Sequence, residues 1–442
     1  MHVLTTARPV GGHTRTVLNW ILTDAESEHY VVITQQGLAE VPLWLRDAAM
    51  SSGGELQLLD NRRGLIRIAK KLRQAAADVD LIILHVHPSD VVPSLAFGAT
   101  SNHPPIALFN HADHVFWVGA TSSDVVVNCR ESGARLTRDR RGVPTGRTAL
   151  LPLPLAGALR LRPKIAARAS LGLDGETVLV LSVASNYKFV PTEYGDFAQT
   201  HARVLERYPN VMFVVVGADP TLPYWRRWAN LSGGRLKAVG LHADTSDFFS
   251  AADIYCDSIP MGSCTSLLEA GSAGIPCVSW SPYPQESALL SSDDVAFEGH
   301  DIQYSDQNLY VEQLASLVSG AHRADAGAAL RNAIAHAHTG HGWLKTLNEL
   351  YSTLPEQVAQ RPHQPTSKPD AVGLYDGILA GFQETYNNFK PFIPGAAPLR
   401  LKLALKDSCR PSPRELVESA IPNPVLRGLR NIFSRVRRKP EI

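Results

Sequence analysis

Short β-branched runs alternate with helix-patterned segments along most of the chain, in two consecutive series. No other property of the sequence narrows the fold so far, because strands separated by helices lie parallel, in sheets that the helices cover. The first series reads His2 to Thr6, Tyr30 to Thr34, Leu81 to His85, Ile106 to Asn110 and Asp124 to Asn128, with helical segments such as Gly64 to Ala77 between them. The second reads Thr177 to Val183, Val211 to Gly217, Leu236 to Gly240, Ile254 to Asp257 and Pro276 to Trp280. The expected class is α/β: two doubly wound domains facing a cleft, with ligand groups at the carboxyl ends of the strands, plus a helical C-terminal tail.

Breaks in composition place the boundaries. A proline-marked stretch followed by Leu155 to Ala169 separates the two series, and residues 354–369 are polar and proline-rich. Domains are expected at 1–160 and 161–355, with a linker and a basic helical tail at 356–442. Lys and Arg number 43 against 42 Asp and Glu, so the chain as a whole carries no basic field and no nucleic-acid partner is expected. The five cysteines are scattered without C-x-x-C pairing and read as reduced core residues. The N-terminus lacks a charged-then-apolar signal pattern, and no apolar run approaches the length of about 18 residues that spans a membrane, so a cytoplasmic protein is expected.

The segment Asp253 to Trp280 carries the strongest chemical signal. An apolar strand runs into the small residues Gly262, Ser263, Cys264, Thr265 and Ser266, then into a short helix and a second strand. Small residues let backbone N–H groups and hydroxyls point at an anion, and the helix that opens near Thr265 adds its positive dipole end. One turn into that helix stands Glu269, the only ionised side chain between Asp257 and Glu286, placed to accept hydrogen bonds from ribose hydroxyls. A nucleotide diphosphate is the ligand this pattern suggests. A tight strand-turn-helix packed by small residues also accounts for Gly271, Ala273, Gly274 and Pro276 with no ligand at all.

The run Ser266 to Val278 resembles the donor-binding motif E-A-x-x-x-G-x-P-V of GT-B glycosyltransferases, particularly the retaining family-four type. The resemblance implies two Rossmann-like domains and a metal-independent, hexosyltransferase-type enzyme whose co-substrate is a nucleotide-diphosphate sugar, with no other cofactor. It assigns ribose to Glu269 and the diphosphate to Thr265 and Ser266, with Ser263 in the same loop. Retaining members commonly carry a second Glu eight positions before the ribose-binding one; here that position is Met261, which leaves an inverting route open.

Other strand ends supply further candidates. Gly11 and Gly12 follow the first strand, where glycines allow close approach of a ligand to the backbone, and His13 comes next. Comparable glycine pairs in GT-B enzymes lie near the donor phosphates and the acceptor. His85, His87, His111 and His114 end two more strands; the loop at His111 resembles one in which a histidine contacts the donor sugar. The spacing His85-x-His87 also suits a metal, but no carboxylate partner is evident, and no metal is expected. Lys188 follows the first strand of the second series, in Asn186 to Pro191, which is similar to a pattern of the protein O-GlcNAc transferase branch whose lysine binds the diphosphate. Gly217, at the end of the next strand, resembles a glycine that shapes the cleft wall. Asp293 and Asp294 read as solvated surface. His111, His13 and Lys188 are the catalytic candidates, with His13 or His111 available as base toward an acceptor hydroxyl.

The tail holds one more pattern. From Asn423 to Lys439 an apolar stripe (Val425, Leu426, Leu429, Ile432, Phe433, Val436) is flanked by basic residues without an acid. Such a helix can lie on an anionic membrane surface, through residues 424–439, or pack on the enzyme body. The function expected is transfer of a sugar to a glycan, lipid-linked or protein acceptor in polysaccharide or glycolipid assembly, in the cytoplasm or at the inner face of the membrane. A non-hydrolysing nucleotide-sugar epimerase and a catalytically inactive nucleotide-sugar-binding protein are the alternatives.

Overall fold

The computed structural model describes residues 1–359 apart from 10, 37–39, 60–63, 99–101, 116, 156–161, 284–292 and 321. The basic segment at 424–439 and the rest of the expected tail beyond 359 lie outside the described residues.

Two all-parallel sheets follow one another. The first joins β1 (His2–Leu4), β2 (Val31–Ile33), β3 (Leu56–Leu58), β4 (Ile82–His85), β5 (Ile106–Asn110), β6 (Val125–Asn128) and β7 (Thr148–Leu150) in the order β3-β2-β1-β4-β5-β6-β7. The second joins β8 (Val178–Val183), β9 (Val211–Val216), β10 (Leu236–Gly240), β11 (Ile254–Cys256), β12 (Cys277–Trp280) and β13 (Gln303–Tyr304) in the order β10-β9-β8-β11-β12-β13. Central strands such as β4, β5 and β6 are buried along their whole length, which is why they read as unbroken apolar runs. The edge strands β3 and β7 and the two-residue β13 carry no such signal and were not expected from the sequence.

In both sheets the strand order reverses beside the first strand, between β1 and β4 and again between β8 and β11. Parallel sheets open a crevice at such a reversal, at the carboxyl ends of the strands. His13 follows β1, His87 follows β4, Lys188 follows β8 and Thr265 follows β11, so the principal candidates flank the two crevices.

The halves share a core. One apolar cluster contains Trp20 and Phe109 from the first half and Leu179, Tyr255 and Leu268 from the second. The last described helix, Gly340–Ala359, returns to the first half and extends through the beginning of the stretch expected to be linker. Its Trp343 donates to the carbonyl of Pro152 at 2.7 Å and meets Trp20 edge-on at 5.3 Å, and its Tyr351 hydroxyl donates to Asp24 at 2.9 Å.

Asp293 and Asp294 are not solvated surface. Asp293 accepts 2.7 Å hydrogen bonds from the backbone N–H and the hydroxyl of Ser132, at the start of the helix Glu131–Asp139 in the first half. Asp294 accepts from His338 at 2.6 Å, and the other ring nitrogen of His338 lies 2.7 Å from the carbonyl of Leu153. Two adjacent acids in a polar segment gave no hint that the fold would bring each one a donor.

Candidate functional site

The loop after β11 is built around a buried carboxylate. Asp257 accepts from the backbone N–H groups of Ser258 (2.8 Å) and Ser263 (2.7 Å) and from the Ser279 hydroxyl (3.2 Å), which turns the chain back toward the helix Thr265–Ser272. Cys264 precedes that helix with φ 60, a backbone region costly for a residue with a side chain. No side chain caps the helix. The first-turn N–H groups of Thr265, Ser266 and Leu267 have no intrahelical acceptor, and neither the Thr265 nor the Ser266 hydroxyl has a partner among the described residues. Ser263 is different: its hydroxyl is turned inward onto the Tyr255 hydroxyl at 2.8 Å, so only its backbone borders the loop.

Lys188 reaches this loop from the neighbouring strand end. Its ammonium donates to the carbonyl of Gly262 at 2.7 Å and lies 3.4 Å from that of Ser263. Glu269, one turn along the helix, is half-buried, and its carboxylate has no hydrogen-bond or ion-pair partner among the described residues. Burial raises its pKa, and Arg15 on the facing helix Gly12–Thr23 works in the other direction. A charge-bearing group held out of water without a partner costs folding free energy, so a ligand that supplies hydrogen-bond donors recovers that cost.

Two glycines, one in the loop helix and one at a strand end, have structural duties. A Cβ on Gly271 would lie 2.5 Å from Ile334 and 2.8 Å from Leu330, so the missing side chain lets the helix Arg323–His338 pack against the loop helix. Gly217 sits at φ 93, and a Cβ there would strike the carbonyl of Ala184. Packing thus explains Gly271 and Gly217 without a ligand, whereas it explains none of Thr265, Ser266 and Glu269. Met261 has 3% of its surface exposed, so a buried thioether stands where a sugar-contacting carboxylate would be.

The first half faces this loop closely. A Cβ on Gly12 would approach the Thr265 hydroxyl to 2.5 Å, so only glycine allows the two loops this distance. Gly11 precedes it at φ 110. The thiol of Cys129, just past β6, contributes a hydrogen bond that lowers the pKa of the Cys264 thiol.

His13 donates from Nε2 to the carbonyl of His85 at 2.8 Å, which leaves Nδ1 as the lone-pair nitrogen of a neutral ring. Burial, followed by His111 and His87, lowers its pKa well below the ordinary value. The His111 ring packs on it at 4.3 Å between centroids and has its own pKa pushed down to about 3, again chiefly by burial. His87 is 5.8 Å from His13 by ring centroid and lies 3.3 Å from the Thr6 hydroxyl. His85 is fully buried and turned away from His87 toward His2, so the pair does not form the two-ring ligand set that its spacing allows. Among the described residues no group of three or more His, Cys, Asp or Glu side chains is arranged to hold a metal ion.

Sequence reading missed the Asp113–Arg130 pair. Arg130 makes a two-pronged contact with Asp113 at 2.8 and 2.7 Å, beside His114. Burial disfavours the Asp113 carboxylate, but Arg130 and His114 outweigh it and hold its pKa below the usual range. The partners lie 17 residues apart on different strand ends, and no local pattern links them.

No family model matches the chain, and no curated protein matches it. Solved structures do. Anabaena HepE in complex with UDP and glucose superposes with a TM-score of 0.59 at 13% identity, covering 80% of this chain and 98% of that one. The lipopolysaccharide outer core galactosyltransferase WaaB gives 0.55 at 14% identity, covering 80% and 99%. The O-GlcNAc transferase of Thermobaculum terrenum gives 0.54 at 14%, covering 81% and 68%. At these identities the likeness establishes the fold: the chain has the GT-B architecture of two Rossmann-like domains.

Proposed function

We propose that this protein is a glycosyltransferase that moves a sugar from a nucleotide diphosphate to an acceptor hydroxyl. One observation carries the reading. At the reversal point of the second sheet stand an uncapped helix N-terminus, a lysine that reaches its loop from the neighbouring strand end and, one turn into the helix, a half-buried carboxylate without a partner among the described residues. Thr265, Ser266 and the first-turn N–H groups would take the diphosphate, Lys188 would neutralise charge on the departing nucleotide, and Glu269 would accept from the ribose hydroxyls. His13, neutral and with Nδ1 available, is the group equipped to take the proton of the acceptor hydroxyl. His111, whose ring packs on His13, would contact the donor sugar. Because Met261 offers no carboxylate, this arrangement favours a direct, inverting displacement.

HepE, which shares the fold, has been captured with UDP-glucose, which supports a nucleotide-sugar donor; WaaB is a lipopolysaccharide outer core galactosyltransferase, which supports an acceptor in polysaccharide or glycolipid assembly. Positive charge from Lys188 and the helix end serves the diphosphate, so the reaction should survive a chelator. Calorimetric titration with UDP, GDP and dTDP, followed by incubation of the matching nucleotide sugar with hydroxyl acceptors, tests the proposal. Micromolar binding of one nucleotide and its release only when acceptor is present are expected. An isomerised sugar from donor alone would instead identify an epimerase. Failure of every nucleotide to bind would overturn the reading.

A further inference from the structure

Beneath the cleft floor of the first half lies a string of buried histidines that the transfer chemistry does not touch. His29 Nε2 is 2.8 Å from the backbone carbonyl of Asp24, which can only accept, so Nε2 carries the hydrogen. In a neutral ring Nδ1 must then accept, and it does so from His2 Nε2 at 2.9 Å. His2 Nδ1 accepts in turn from His85 Nε2 at 3.1 Å. His85 is left with a bare Nδ1 that is buried and has no partner among the described residues. One carbonyl at the end of the first helix therefore dictates three tautomers in series.

The string is anchored at both ends. Asp24 accepts from the Tyr351 hydroxyl at 2.9 Å, on the helix that returns from the second half. At the other end, the carbonyl of His85 receives His13 Nε2 at 2.8 Å. The His2 and His85 rings are stacked 5.3 Å apart, and Trp20 meets them edge-on at 5.7 and 5.6 Å, so neither can turn freely. An apolar filling of the same volume would pack β1 against β4 without leaving a buried nitrogen unpaired. What it would not do is fix the rotation of the last ring, whose Nε2 faces His2 on the residue that also supplies the carbonyl to His13.

We infer that His29, His2 and His85 are positioning residues for His13: the string locks His85 at the end of β4, and its carbonyl selects the His13 tautomer that presents Nδ1 to the cleft. The inference rests on the reading of His13 as the proton-accepting group. His29 makes the cleanest test because its contacts are with Asp24 and His2 rather than with the cleft. His29→Leu removes both hydrogen bonds, while His29→Gln keeps a donor for Asp24 and an acceptor for His2.

Long-range nitrogen NMR of the full chain reads each tautomer directly. In the wild type His2, His13 and His85 should all carry the hydrogen on Nε2. In His29→Leu the His2 and His85 signals should become tautomer mixtures, and kcat should fall about tenfold at unchanged KM, as a displaced reacting group predicts. His29→Gln should restore both readouts. A wild-type His85 protonated at Nδ1, or a folded His29→Leu whose tautomers and kcat match the wild type, would overturn the inference. The wild-type spectrum needs no variant to fold, and it decides the string even if no transfer activity is found, so the two readings fail separately.

Discussion

The two reversal points are alike in topology and opposite in chemistry. Beside β1 and β4 stand His13 and His87, with His85 fully buried behind them, rings that burial keeps uncharged. Beside β8 and β11 stand Lys188, an open helix end and Glu269, a set that is ionic or dipolar throughout. Under the proposed transfer, the same backbone turn supports a surface for passing a proton and another for gripping a charged leaving group. Strand order fixes where chemistry occurs, and the residues just past each strand fix which chemistry it is.

The comparison breaks most sharply at Lys188. If the second crevice works by charge, Lys188→Ala should lower kcat by about 10²- to 10³-fold, the scale of losing one donor aimed at a departing anion, with the fold intact by circular dichroism. A drop of less than about threefold would mean that the ammonium only braces the carbonyls of Gly262 and Ser263. A smaller effect is expected at Glu269. Glu269→Ala should weaken nucleotide binding by about 30-fold, as loss of charge-assisted hydrogen bonds implies, and should abolish discrimination between a ribonucleotide and its 2′-deoxy analogue. Equal discrimination in wild type and variant would remove Glu269 from the ribose.

How far the sequence was legible follows from the range of the interactions. The central strands and the Thr265 loop were readable because burial on both faces and a run of small residues are local signals. The Lys188 position was readable because it follows a strand end directly. The partners Asp113 and Arg130, Ser132 and Asp293, and Asp294 and His338 were not, since each pair joins different elements and only the closed fold brings them together. The histidine string was hidden for the same reason: His2, His29 and His85 sit at unrelated places in the chain. Gly271 serves helix packing, the ligand-free account that a tight strand-turn-helix of small residues already offered for it.

Where the two loops meet, the contrast can be sharpened by one methyl group. Gly12→Ala sets a Cβ 2.5 Å from the Thr265 hydroxyl, and the threonine can rotate away only by moving that hydroxyl. The expected result is a loss of roughly fivefold in kcat/KM, carried mainly by the nucleotide sugar, a modest overpacking effect. Thr265→Ala in the same chain should remove the collision and part of the loss. No rescue would show that the close approach has no bearing on the donor.

The slightest effect at neutral pH, and the most general test of the contrast, is acid sensitivity. A ring whose folded pKa is depressed takes up its proton only on unfolding, so its stabilising contribution is full above the ordinary value of 6.5 and declines as the pH falls below it. His2, His13 and His85, all well below that value, and His111, at about 3, act this way in the first half. In the second half His201, at about 3, does the same, but His338 behaves oppositely: against its burial, Asp294 raises its pKa, so its contribution is present at low pH and fades as the pH rises through the folded value. Each depressed ring removes about 1.4 kcal/mol per pH unit below 6.5. Amide protection, exchange corrected for its intrinsic pH dependence, should therefore change little from pH 8 to 7. Between pH 7 and 5, protection should fall more in β1, β4 and β5 than in β8, β9 and β11. Equal loss in the two sheets would mean that their shared core makes them unfold as one unit, and the chemical contrast would then stop at the cleft surface.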